Sequence, residues 1–351
     1  MAPFNPDDAA RPGAGVFGLP HSREEAGIIL IPVPFDATTS YGGGASAGPN
    51  AIRAASAQVD LYDHHFGRVY ERGIFMEPVD RGIAALSARA RALAAPIIAK
   101  GGAEPGDEGA LREVDSACER MNEFVHERAA RALAEGKVPG VVGGDHSTPF
   151  GAIRACAEQA GDAVGDGIGV LQVDAHMDLR VAFEGFAWSH ASIMWNVLER
   201  IPGVKRLVQV GIRDFGEGEM AYAREAGGRV TSHFDADLFA RLDDGDRWAD
   251  MCRGMLDGMP RRVFVSFDID GLDPALCPHT GTPVPGGLSF NGAAMLLKML
   301  MESGRTVVGF DLNEVCPAPG GLNEWDANVG ARILYKLCGC AANSSSGRFF
   351  L

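Results

Sequence analysis

Three short segments carry the residues most able to do chemistry. Asp174, His176 and Asp178 stand at i, i+2 and i+4. In extended chain that spacing puts all three side chains on one face, within reach of a common ion. Asp268 and Asp270 repeat the spacing elsewhere, and His146 adds a second imidazole. The sum is two imidazoles and four carboxylates, with no thiolate among them. One divalent ion cannot use six such groups together with a reactive water, whereas two ions sharing bridging carboxylates can. Oxygen and imidazole donors suit manganese, tolerate nickel, cobalt or iron, and argue against structural zinc. Taken singly, each aspartate could equally cap a helix or hold a turn, and His146 could be a loop histidine. Gathered at one place, these acids would repel one another unless cations neutralised them, which favours the metal reading.

The gathering depends on the elements that precede each segment. Short, nearly all-apolar runs at 28–33, 140–142, 169–173, 207–211, 263–267 and 307–310 read as strands buried on both faces. Helical segments alternate with them, most clearly 111–135. There Leu111, Val114, Cys118, Met121, Val125, Ala129, Ala132 and Leu133 recur at three- and four-residue spacing and Gly136 supplies the stop. This alternation predicts an α/β fold, a mainly parallel central sheet with helices on both faces. In such a sheet the carboxyl ends of the strands share one edge, where ligands bind. The chemistry-bearing segments all follow strands, as does Asp311-Leu312-Asn313-Glu314. The chain reads as one domain over 26–340, with an extension at 1–25, an insertion at 58–111 and a loose tail at 341–351. Residues 99–109 are a loop by composition.

Composition excludes several classes. Forty-six acidic against 32 basic residues give a formal charge of −14. Such a surface repels phosphate backbones and anionic lipid, so neither nucleic acid nor membrane is an expected partner. A small cationic substrate would be attracted. The first 15 residues lack a basic region followed by an apolar core, so no secretory signal is expected. The apolar run at 27–35 is broken by Pro32 and Pro34 and is too short to span a bilayer. Seven scattered cysteines form no Cys-x-x-Cys pair, so a zinc ribbon or disulfide framework is not indicated. A reduced, cytoplasmic setting is the expectation.

Gly143-Gly144-Asp145-His146-Ser147, Asp174-Ala175-His176-Met177-Asp178 and Ser266-Phe267-Asp268-Ile269-Asp270-Gly271-Leu272-Asp273-Pro274 resemble, in order, three signature segments of the ureohydrolases. That family comprises arginases, agmatinases and formimidoylglutamases, and the agmatinase-like members are the nearest. Gly281-Thr282-Pro283, Gly286-Gly287-Leu288 and Glu314-Val315-Cys316-Pro317 look like the family too. The resemblance implies an arginase-like three-layer αβα sandwich and two divalent ions per chain, manganese first, with nickel or cobalt as alternatives. His146 and Asp178 would bind one ion, His176 and Asp270 the other, and Asp174 and Asp268 would bridge. A water activated by the ions would attack a guanidino carbon, releasing urea and an amine. Glu314 would hold the guanidinium, and Asp178 would pass a proton to the leaving amine. His190 would serve as proton relay beside the substrate, with Trp188 as a further substrate contact. Assembly as a homo-oligomer, trimer or hexamer, is a family habit.

Departures from the family bear on the substrate. The polar segment by which arginases read an amino-acid head group is replaced here by Phe183-Glu184-Gly185-Phe186-Ala187-Trp188-Ser189-His190. Agmatine is therefore the first expectation, in a place in polyamine metabolism. Guanidinobutyrate and free guanidine are rivals, with arginine and formimidoylglutamate behind them. The aromatics around Glu184 could wall a cramped site for a cation, or could equally be core. His190 could instead be a buried histidine packed beside Trp188. A non-enzymatic reading, an inactive metal-binding subunit, would be expected to have lost a bridging aspartate or His190, and both remain. Residues 60–65 are expected to cover the site as a lid or to extend a subunit contact, with His64 and His65 not assigned as ligands.

Overall fold

The structure, a computed structural model, describes residues 4–11, 13–161, 167–321 and 323–344. Its centre is a sheet of eight strands: β1 (Ile28–Pro32), β2 (Ile74–Met76), β3 (Val138–Val142), β4 (Ile168–Val173), β5 (Val204–Ile212), β6 (Val230–Phe234), β7 (Arg262–Asp268) and β8 (Thr306–Asn313). They lie in the order β2-β1-β3-β8-β7-β4-β5-β6, and every pairing is parallel. Six of the eight are the strands expected from apolar runs. The other two, β2 and β6, are the edges of the sheet. β2 is only three residues long, and Val230-Thr-Ser-His-Phe234 is half-buried and mixed in polarity. An edge strand is buried on fewer sides and need not read as an apolar run.

Side chains alternate across each strand, and the core divides accordingly. Ile28 and Leu30 face one layer of helices while Ile29 and Ile31 face the other. The first layer holds α1 (Gly48–Ala55), α7 (Asp235–Asp243), α8 (Trp248–Leu256), α9 (Phe290–Glu302) and α10 (Trp325–Ser344). The second holds α2 (Arg81–Ala99), α3 (Glu108–Ala134), α4 (Phe150–Ala160), α5 (Ile193–Arg200) and α6 (Glu217–Glu225). The fold is the expected αβα sandwich. Among the described residues α2 is the one helix long and apolar enough, by length and composition alone, to cross a membrane. It lies against α3 and buries Ile83, Leu86, Ala90, Ala94 and Ile97 there, a stripe at helical spacing.

Four segments of the sequence reading gain detail in the structure. Residues 58–111, the expected insertion within the domain, supply edge strand β2 and helix α2. Residues 60–65 do not cover the carboxyl edge of the sheet. They are tied to α10, where the Tyr335 hydroxyl donates to the Leu61 carbonyl at 2.6 Å and Lys336 pairs with Asp63 at 2.7 Å. The expected loose tail begins later than 341. α10 continues to Ser344, whose hydroxyl accepts from the Val307 amide at 2.9 Å, and residues 345–351 lie outside the described residues. Part of the extension at 1–25 also joins the core, since Val16, Phe17 and Leu19 are buried and the Phe17 ring meets Tyr335 edge-on at 4.8 Å.

Candidate metal centre

β3, β8, β7 and β4 are consecutive neighbours in the sheet, and each ends in one of the chemical segments. β3 leads to His146, β8 to Glu314, β7 to Asp268 and Asp270, and β4 to Asp174, His176 and Asp178. The turn after β3 must pass close to another loop. A Cβ on Gly144 would lie 1.9 Å from the Phe35 carbonyl oxygen, so only glycine fits. Asp145 then ties this turn to the loop after β1 by accepting from the Thr38 amide and hydroxyl, both at 3.3 Å. Asp178 and Glu314 hold positive φ angles of 54° and 59°. Backbone strain of this kind is sparsely populated outside glycine and tends to cluster at functional sites. The Asp178 carbonyl is fixed by the amides of Met194 and Trp195 at the start of α5, at 3.0 and 3.1 Å.

Two groups of ligand-type atoms result. His146, Asp174 and Asp268 offer atoms within 4.8 Å of one another, and so do Asp174, His176 and Asp270. Asp174 belongs to both. His146 Nδ1 lies 2.9 Å from Asp174, 3.1 Å from Asp178 and 3.3 Å from Asp268, yet none of these contacts has hydrogen-bond geometry. Its other nitrogen, Nε2, is committed to the Ser266 hydroxyl at 2.9 Å. A buried imidazole nitrogen ringed by three carboxylates without a hydrogen bond is what a metal ligand presents. His176 Nδ1 similarly faces Asp270 at 3.1 Å and Asp174 at 3.5 Å. Asp268 is drawn towards His146, and its second oxygen accepts from the Asp270 amide at 2.8 Å. The donor set therefore fits a pair of divalent cations, and Asp174, common to both groups, is the carboxylate that would be shared between them.

The electrostatics point the same way. Burial pushes Asp268 well above the usual carboxylate range, helped by Asp270 and Asp174. Burial and the charge of Asp174 lift Asp178 to about 7. For Asp174 burial acts in the same upward sense, but His146 and His176 outweigh it and hold it below its ordinary value. Burial disfavours a charged His176, but Asp270 and Asp174 raise it to about 12. His146 is likewise raised, the facing carboxylates overcoming burial. The raised values of Asp178 and Asp268 favour protons that bound divalent ions would displace.

A cavity of about 190 Å³ opens onto this cluster, lined in part by His146, His176, Asp178, His190 and Asp268. His190 is buried; its Nδ1 faces Glu314 Oε1 at 3.3 Å and its Nε2 faces the Ser40 hydroxyl at 3.2 Å. Glu314 is itself fully buried and does not line the cavity. Its Oε1 accepts from the His146 amide at 2.9 Å, while Oε2 has no hydrogen-bond partner. Trp188 does not line the cavity either. It meets Phe150 edge-on at 4.9 Å and lies under the Arg200 guanidinium at 4.7 Å, holding the 183–190 segment against α4 and α5. Glu184 occupies a tight turn closed by reciprocal bonds between Phe183 and Phe186, with φ of 53°, and its side chain also lies off the cavity wall. Phe183 does line it.

The remaining lining was not anticipated. Arg180 follows Asp178 by two residues, Asp214 and Glu219 come from the β5–α6 junction, and Ser40 and Thr282 come from two further loops. Arg180 lies 4.7 Å over the Phe183 ring and 3.5 Å from Glu219, which also accepts from the Leu179 and Gly216 amides at 3.0 and 2.7 Å. Asp214 is exposed at the mouth and directly follows the strand-end run Gly211-Ile212-Arg213. A polar residue just past a strand was the available signal for it.

Comparison with known proteins agrees with this geometry. Residues 26–339 match the arginase family. The chain belongs to the arginase family. It is 33% identical over 299 residues to the N(1)-aminopropylagmatine ureohydrolase of Thermus thermophilus, covering 84% of each chain. It is also 33% identical over 328 residues to the proclavaminate amidinohydrolase of Streptomyces clavuligerus, covering 91% of each. The solved structure of proclavaminate amidinohydrolase covers 96% of this chain and 100% of its own, with a TM-score of 0.68 and 28% identity. This arginase-family chain is a hydrolase of amidino carbon–nitrogen bonds, in a family that depends on a metal pair.

Proposed function

We propose that the protein hydrolyses a small guanidino compound whose tail is cationic or neutral, agmatine first, releasing urea and an amine. The observation that carries this reading is the cavity itself. Its floor is the paired histidine–carboxylate cluster, and its lining adds exposed Asp214 and buried Glu219 against one cation, Arg180, already faced by Glu219. A cationic tail meets Asp214 favourably, whereas a carboxylate tail meets like charge. The aromatic segment at 183–190 contributes the Phe183 wall, not the charge of Glu184.

Bound divalent ions would supply Lewis acidity, lowering the pKa of water so that a nucleophile exists at neutral pH. Oxygen and imidazole donors favour manganese, with nickel or cobalt as alternatives. The chain's own groups do the rest. The unpartnered Oε2 of Glu314 lies 3.3 Å from where a Cβ on Gly281 would stand. No side chain at residue 281 covers that oxygen, so it is the unused acceptor that a guanidinium N–H would meet if it passed beyond His190. Burial disfavours a charged His190, but Glu314, whose Oε1 faces its Nδ1 at 3.3 Å, raises it above its ordinary value, and its Nε2 lies beside Ser40 at the cavity. His190 can thus hold a proton beside the leaving nitrogen, which departs poorly as an unprotonated amine. Asp178 is the second group placed to carry that proton. A trimeric or hexameric assembly and a place in polyamine metabolism rest on the family resemblance alone, and a cytoplasmic setting rests on the scattered cysteines and the sequence of the first 15 residues.

The test is kcat/KM for four compounds. Agmatine and guanidine should exceed arginine and guanidinobutyrate by at least tenfold, about 1.4 kcal/mol of transition-state preference. A tenfold advantage for either carboxylate-bearing compound would show that Arg180, not Asp214, governs the mouth.

A further inference from the structure

One layer below the metal-type cluster, a row of polar residues crosses five strands in register. Ser232 on β6 pairs with Gln209 on β5, Gln209 with Gln172 on β4, Gln172 with Ser266 on β7, and Ser266 with Asp311 on β8. Gln209, Gln172, Ser266 and Asp311 are fully buried. Such positions in a doubly covered parallel sheet are ordinarily apolar, and a polar group left there without a partner is destabilising. Gln172 and Ser266 precede Asp174 and Asp268 by two residues, so each points to the same face as the ligand-type side chain above it. In its β7–β8 half, Ser266 holds His146. The β6–β5–β4 half converges on Asp174 through Gln172.

The hydrogen bonds on that side run in one direction only. Gln172 Nε2 donates to Asp174 Oδ2 at 2.8 Å and to the His176 carbonyl at 3.4 Å. Gln209 Nε2 donates to Gln172 Oε1 and to the Met177 carbonyl, both at 2.7 Å. The Ser232 hydroxyl donates to Gln209 Oε1 at 2.7 Å. The Met177 and His176 carbonyls and the Asp174 carboxylate can only accept, so neither amide can be turned over without opposing two acceptors. Every link thereby fixes the next, and buried chains of this kind polarise along their length.

We propose that Gln209, with Ser232 behind it, is a positioning residue for the metal pair. It locks the Gln172 amide so that Asp174, the carboxylate common to both groups, keeps its orientation. Gln209 touches no ligand-type side chain, yet it sets how tightly the pair is held. The inference rests on the metal reading of the Asp174 groups and is independent of which guanidino compound is cleaved.

Manganese binding by the purified full chain, measured by calorimetry without substrate, is the test. Gln209→Glu changes one NH₂ to oxygen. The introduced carboxylate would then demand a donor from Gln172, which could comply only by turning its own oxygen towards Asp174. The expected loss of manganese affinity is about 10–100-fold. Gln209→Met removes the donor without adding charge and should lose about tenfold, which covers the case in which a buried glutamate prevents folding. A merely structural role would lower Tm equally with and without manganese, whereas a positioning role shrinks the gain in Tm on adding the ion. Folded Gln209→Met protein with wild-type affinity and a wild-type gain would overturn the proposal alone. Wild-type protein that binds no manganese would overturn it together with the metal reading.

Discussion

Asp174→Ala is expected to leave the chain unable to retain either ion and to lower urea release at least about 10³-fold, to the level of metal-free protein. The reason is positional. Asp174 is the one carboxylate common to both ligand-type groups, and it lies 2.9 Å from His146 and 3.5 Å from His176. Its loss also uncovers the Gln172 amide in a fully buried place. Asp268 offers a contrast, because it is gathered with His146 and Asp174 but not with His176 and Asp270. Asp268→Ala should therefore weaken the His146 side first. Metal content by elemental analysis reads both variants directly. Equal retention of two ions by Asp174→Ala would remove that residue from the ligand set.

Glu314→Gln should do the opposite, keeping both ions while kcat/KM falls on the order of 10²–10³-fold. A glutamine oxygen can still accept from the His146 amide, so the turn that carries that ligand survives. The other position, now an NH₂ group, can no longer accept from a guanidinium. Removing one partner of a buried charged contact typically costs about 2–5 kcal/mol, much of it from the partner left unpaired. His190 also loses part of the charge that holds its Nδ1 proton in place. Metal content near wild type with collapsed activity is the expected pair of results. Loss of metal would reassign Glu314 to holding His146.

How far the sequence foretells this site varies residue by residue. The ligand-type side chains are legible because i, i+2 spacing at a strand end has a fixed geometric consequence. His190 and Glu314 are brought together as neighbours, but no spacing announces that Glu314 is sealed behind His190 and off the cavity wall. Trp188 and Glu184 look like lining in sequence because they flank His190. A tight turn at Glu184 and Gly185 sends their side chains elsewhere, and positive φ at a glutamate is not a pattern that composition reveals. Ser40 and Thr282 lie on separate loops, and Asp214 and Glu219 lie at the start of the β5–α6 connection and on α6, so only the folded chain collects them with the rest. Gln172 and Gln209 are the least legible, since one amide in an apolar run looks like noise until strand register places two side by side. The lid expected at 60–65 fails for the same reason: long-range contacts with α10, not local composition, decide where it rests.

The most direct test of the whole account is urea release by one preparation before and after metal loading. Protein stripped with chelator should release no urea from agmatine, guanidine, guanidinobutyrate, guanidinopropionate or arginine. After reloading with manganese to two ions per chain, it should release urea, fastest from a compound without a carboxylate. Protein carrying two ions per chain that cleaves none of the five would contradict the assignment of this site to guanidino hydrolysis.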